Sequence, residues 1–185
     1  MNHELSPHPS LAGYPPVRIT AEVTRPSSGL LRLRYMLAGE LDALRIPSTA
    51  DMARTDGLWR HTCFEAFIRA GGGAYYELNV APSTEWASYR FSGYRDGMSE
   101  AEIEPKRIEV VRTHWSWFKR SKRGRLRLTL LLPLPADATG PFGLSAVVET
   151  ADGRHSYWAL AHPPGAPDFH HPDCFTAELP PPPRP

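Results

Sequence analysis

The sequence predicts an all-β fold, an antiparallel β-sandwich (jelly-roll or immunoglobulin-like) of about nine to eleven strands with little helix. Three observations predict it. Short segments with apolar residues at every second position follow one another along the chain. Gly, Pro, Asp and Asn punctuate them, as hairpins require. Twenty prolines among 185 residues work against long helices.

The elements follow in order. Residues 1–16, rich in Pro and His, are read as a flexible N-terminal arm, residues 17–179 as one β-sandwich domain, and 180–185 as a proline-rich tail. Val17, Ile19, Ala21 and Val23 alternate with Arg18, Thr20, Glu22 and Thr24, the pattern of a half-buried strand. Leu31, Leu33, Tyr35 and Leu37 repeat it, as do Leu126, Leu128, Leu130 and Leu132. Three consecutive strands are read at Cys63 to Ala70, Tyr75 to Ala81 and Trp86 to Phe91. Further strands are read at Lys106 to Thr113, Trp115 to Ser121, Gly143 to Thr150 and His155 to Leu160. Ser99 and Glu102 have capping-box spacing, but Pro105 limits any helix there to about one turn.

Composition narrows the function. A 41% hydrophobic content and a formal net charge of +1 exclude an acidic disordered tail and give no general case for nucleic acid. The basic run from Lys119 to Arg127 reads as a solvated hairpin connection. The first residues carry neither a basic nor an apolar signal region, and no apolar run approaches the roughly 20 residues that span a bilayer. The expectation is a cytoplasmic protein with Cys63 and Cys174 reduced and no membrane contact.

The three central strands carry the candidate chemistry. A hairpin closed by Pro82–Glu85 sets Tyr76, Leu78 and Val80 opposite Phe91, Tyr89 and Ala87 on an apolar face. The other face then pairs Glu77 with Arg90 and Asn79 with Ser88. Adding the strand before the Gly71-Gly72-Gly73 turn puts Glu65 beside Asn79 and Phe67 beside Glu77, with Trp86 at one end. Such a face is either an ordinary solvated surface, its Glu77–Arg90 pair adding about 0–1 kcal/mol, or a recognition surface. Carboxylates and amides bond hydroxyls, and a flat Trp stacks on an apolar ring face.

These same strings, Thr62–Ile68, Tyr76–Ser83, Trp86–Phe91 and Tyr94–Met98, resemble the bacterial DOMON-like group, which is similar to the family-9 carbohydrate-binding modules. Ser156–Pro163 and Pro167–His170 fit the same group, and the resemblance spans residues 15 to 180. It implies a sandwich that binds a ligand and catalyses nothing. Characterised relatives bind sugars or heme. Sugar-binding relatives are largely extracellular, whereas this chain shows no secretion signal. Heme-binding relatives use an axial Met and His, and no such pair matches here, so no cofactor is expected.

His162, Asp168, His170, His171, Asp173 and Cys174 crowd one Pro-rich loop. They are metal-ligand types, but their spacing matches no standard motif, and a role in holding the loop or touching ligand is the better reading. A base–nucleophile arrangement of His170 and Asp168 with Ser83 or Cys63 lacks the strand-to-helix elbow of hydrolases. The glycine triplet precedes a strand rather than a helix, so it is a turn, not a phosphate cradle. The sequence therefore points to a non-catalytic binding module for a sugar-like small molecule. Glu65, Glu77, Asn79 and Arg90 are the polar contacts and Trp59 and Trp86 the stacking residues, with Arg60, His162, Asp168 and His170 contributing from loops. The alternatives are a β-domain that contacts a protein partner, and a heme or metal site.

Overall fold

The structure is a computed structural model that describes residues 1–10, 13–14, 16–114 and 123–183. Eleven strands are formed among them: β1 (Asn2–Pro7), β2 (Val17–Ser27), β3 (Leu30–Glu40), β4 (Cys63–Ala70), β5 (Tyr75–Val80), β6 (Trp86–Phe91), β7 (Ser99–Glu100), β8 (Arg107–His114), β9 (Arg123–Pro133), β10 (Ala138–Glu149) and β11 (His155–Ala159). The helical structure among the described residues is limited to single 3-10 turns. No helix there is long and apolar enough to cross a membrane. The expected strand at Trp115 to Ser121 and the first half of the basic run lie outside the described residues.

The pairings between these strands are all antiparallel, in the order β7-β6-β5-β4-β10-β11-β1-β2-β3-β9-β8. The strands thus form one continuous ladder, curled into a half-barrel, where two separate sheets were expected. The joint is β1. Its first half pairs with β2 (Leu5 opposite Ile19), and its end pairs with β11 (Ser6 opposite Ala159). The N-terminal arm read from the sequence therefore contributes a strand to the middle of the sheet. Only Leu5 of that strand is buried, so apolar alternation could not announce it.

The leucine repeats place the core. Leu31, Leu33, Tyr35 and Leu37 of β3 stand opposite Leu132, Leu130, Leu128 and Leu126 of β9, all fully buried. Each such side chain contributes roughly 1.5–3 kcal/mol on burial. They share one apolar cluster with Phe64, Ala66, Leu78 and Leu144 from the other arm of the sheet. Tyr35 links the two arms: its ring meets Phe64 at 5.0 Å, and its hydroxyl donates to the Glu65 carbonyl at 2.6 Å. Residues that alternate with this set on β4, β5, β10 and β11 face away from the core, and the site lies on that far face. Ser99–Glu100 pairs with β6 as a short strand, so the capping-box pattern there starts no helix.

Candidate functional site

The register between β4 and β5 is the one read from the sequence, with Glu65 opposite Asn79 and Phe67 opposite Glu77. The register between β5 and β6 is not. Glu77 stands opposite Tyr89, Tyr76 opposite Arg90, and Val80 opposite Trp86. The connection has five residues, not four. Ala81 belongs to the turn, its N–H donating to the Glu85 carbonyl while Thr84 N–H donates back to Ala81. Thr84 reverses the chain at φ +78°, a left-handed conformation that a β-branched residue rarely adopts. One residue of slip exchanges the two faces of β6. Trp86 is consequently buried in the main core, and Arg90 sits over the Tyr76 ring near Asp137, both on the face opposite the cavity. Tyr89 and Phe91 take their places.

The corrected face is a cavity of about 400 Å³. Its floor carries Glu65 and Glu77, only 2% and 6% exposed. Its walls are Trp59, Phe67, Tyr89, Phe91, Tyr157 and Phe169, with Arg95, Met98 and His170 also facing in. The floor is hydrogen-bonded from its sides. Ser145 Oγ donates to Glu65 Oε2 (2.9 Å), and Asn79 Nδ2 donates to Glu77 Oε1 (2.7 Å). Cys63 Sγ in turn donates to Asn79 Oδ1. Burial pushes the Glu65 carboxyl up to about 8, with the nearby Glu77 charge adding to it and Ser145 opposing. Burial likewise raises Glu77 to about 7, against the Asn79 hydrogen bond and the Arg95 charge.

The C-terminal loop covers this face. Phe169, Cys174 and Phe175 pack on Phe67, Tyr75 and Phe91. Gly143 permits the approach, since a Cβ there would stand 3.0 Å from the Cys174 carbonyl oxygen. Asp168 fastens the loop to the turn after β6: it accepts from Arg95 Nε (3.2 Å) and Nη2 (2.8 Å), from the Tyr94 hydroxyl and from the His170 N–H. Arg95 is held at φ +53°, and its own N–H donates to the Tyr75 hydroxyl. His170 Nδ1 shares a 2.8 Å hydrogen bond with that hydroxyl, and its Nε2 lies 3.7 Å from Glu77 Oε2. Burial, aided by the Arg95 charge, lowers the His170 pKa to about 4, so the ring is neutral at pH 7.

At the rim, Tyr89 Oη donates to Asp56 Oδ1 (2.5 Å), Arg54 lies over the Tyr89 ring, and Trp59 meets that ring edge-on at 5.9 Å. Of the ten residues singled out in the sequence, Trp59, Glu65, Glu77 and His170 line the cavity, while Asn79 and Asp168 support it. Arg60 borders a neighbouring hollow with His61 and Glu149. His162 lies under the loop, bonded to the Ser6 carbonyl and packed on His8 and Phe169. Sequence reasoning missed Tyr89, Phe91, Arg95, Tyr157 and Phe169. Tyr89 and Phe91 were visible as alternation and needed only the right register. Both cysteines are free and buried.

Comparison with known proteins is sparse. No family model and no curated protein matches this chain. The fold has a solved counterpart. A crystal structure from Bacteroides uniformis, of a protein described provisionally as carbohydrate-binding, aligns with a TM-score of 0.57 at 13% identity, covering 97% of this chain and 85% of the other. At that identity the likeness shows a shared fold.

Proposed function

We propose that this protein is a non-catalytic binding module whose cavity takes a carbohydrate or sugar-containing small molecule. The observation that carries the reading is the cavity itself, an aromatic-walled recess whose floor presents two buried carboxyl groups. Aromatic faces match the apolar faces of sugar rings, and carboxyl groups bond hydroxyls on the ring edge. The Bacteroides counterpart supports it at the level of fold. So does the resemblance of the central strings to DOMON-like and family-9 modules.

A thermal-shift screen of the full chain against mono- and oligosaccharides and nucleotide sugars tests the proposal. A native-state ligand at a hundred times its Kd raises stability by about 2.7 kcal/mol. A hit should lose its shift in Phe91→Ala and keep it in Arg90→Ala. No hit, or equal loss in both variants, overturns the assignment.

A heme reading has one observation in its favour, because Met98 and His170 face the same cavity. The donor set does not fit. His170 Nδ1 is taken by Tyr75, Nε2 faces the Glu77 carboxyl, and Met98 is 58% exposed at the mouth. The purified protein is expected to show no Soret band.

A further inference from the structure

The cavity floor poses an electrostatic question that a neutral sugar does not answer. Glu65 and Glu77 lie on adjacent strands as diagonal neighbours across the β4–β5 pair, and both face the cavity. Among the described residues, Glu65 accepts hydrogen bonds from Ser145 and Glu77 from Asn79, both neutral donors, and Glu65 Oε1 has no hydrogen-bond partner. The nearby basic groups are engaged elsewhere. Arg95 is clamped by Asp168, and Arg54 pairs with Asp56 and Glu100. His170 is neutral at pH 7. A buried carboxylate without a counter-ion is costly, and a cationic ligand removes that cost. The walls favour an organic cation, because aromatic faces attract an ammonium within about 6 Å of the ring centre.

We infer that the cavity selects ligands bearing an ammonium group, an amino sugar above all, with Glu65 and Glu77 as counter-ions and Trp59, Tyr89 and Phe91 as its aromatic surround. The inference rests on the cavity reading above and narrows its ligand class. It also predicts a proton exchange. Burial holds about one proton on the carboxyl pair near pH 7. The ammonium takes that proton's place, and the proton leaves to solvent. The groups facing the pair are Ser145 on β10, Asn79 and Tyr75 on β5, Tyr89 on β6, Cys63 beside Glu65 on β4, the Tyr35 hydroxyl beneath, and Arg95 and His170 above. None of these changes charge between about pH 6 and 8. Affinity for an amine should therefore climb with pH in that interval, by at most about tenfold per unit for each proton released, until the amine itself deprotonates.

The test is calorimetric titration of the full chain with glucosamine, glucose, cyclohexylamine and cyclohexanol, at about pH 6 and 7, where both amines are mostly protonated, and in two buffers of different ionisation enthalpy. Tighter binding of each amine than of its neutral partner by about tenfold or more, with proton release, supports the inference. Glu65→Gln and Glu77→Gln should each weaken the amines about tenfold or more while folding normally, as thermal melts would verify. If glucose binds as tightly as glucosamine without proton release, the inference falls and the carbohydrate reading stands. If cyclohexylamine binds and neither sugar does, selection for an ammonium group stands, and the carbohydrate reading falls together with the preference for an amino sugar. If nothing binds, both fall.

Discussion

Glu65 and Glu77 also write a signature into the protein's stability. In the unfolded chain both carboxyls titrate near their ordinary value, about 4.3, whereas in the fold burial raises them to about 8 and about 7. Between those limits the folded state holds more protons than the unfolded state, so stability falls as pH rises through the window. His170 acts in the opposite sense. Its folded pKa of about 4 lies below the unfolded value near 6.5, so stability rises with pH across that interval. Above about pH 6.5 the histidine's remaining contribution is smaller than that of the carboxyl pair, and above about pH 7.5 it is neutral in both states. The ligand-free protein should thus lose stability from about pH 6.5 to 8. Glu77→Gln should match the parent near pH 4 and exceed it near pH 8 by on the order of 2 kcal/mol, several degrees in Tm. A calorimetric scan across pH checks this, and a variant less stable at pH 8 contradicts it.

The β5–β6 hairpin decides which side chains meet the cavity, and two variants read its register. Phe91, stacked on Tyr75 at 4.8 Å, should cost about 3 kcal/mol when replaced by Ala. Arg90, half-exposed over Tyr76, should cost about 0.5 kcal/mol or less. The register read from the sequence places Phe91 on the core face and Arg90 on the binding face, so it predicts loss of ligand in Arg90→Ala. Denaturant melts together with ligand shifts separate the two. This hairpin also marks where sequence reading stops. The β3 and β9 leucines are legible because alternation with one buried face leaves a single solution. The β4–β5 register is legible because keeping Phe64, Ala66 and Ile68 on the apolar face sets Glu65 beside Asn79 across the glycine triplet. The next turn is opaque because nothing in Ala81–Glu85 announces that Thr84 adopts a left-handed backbone, and a single residue of turn length reverses six side chains. The covering loop was legible only as a crowd of His and Asp residues, since the roles of Phe169 and Arg95 depend on contacts distant in sequence.

Across the whole molecule, β1 makes one sheet of what would otherwise be two. Leu5→Ala should therefore destabilise the entire fold by about 2–3 kcal/mol, where a flexible arm would tolerate it without effect. Deleting residues 1–8 should do more, because it exposes the edges of β2 and β11 and leaves two unpaired ladders open to association. Light scattering during refolding of the deletion variant would register that association. The same strand sets the order of assembly. One partner of β1, at Thr20 and Ile19, follows it closely along the chain, but the other, at Ala159, comes far later in the chain. Hairpins such as β2–β3 and β4–β5 can form while synthesis continues, yet the joint between the arms must stay open until β11 arrives. The native sheet is thus a late, long-range closure, and long-range closure makes folding slow. A nascent chain halted before residue 155 would carry a completed hairpin on each side and a first strand still waiting for its second neighbour.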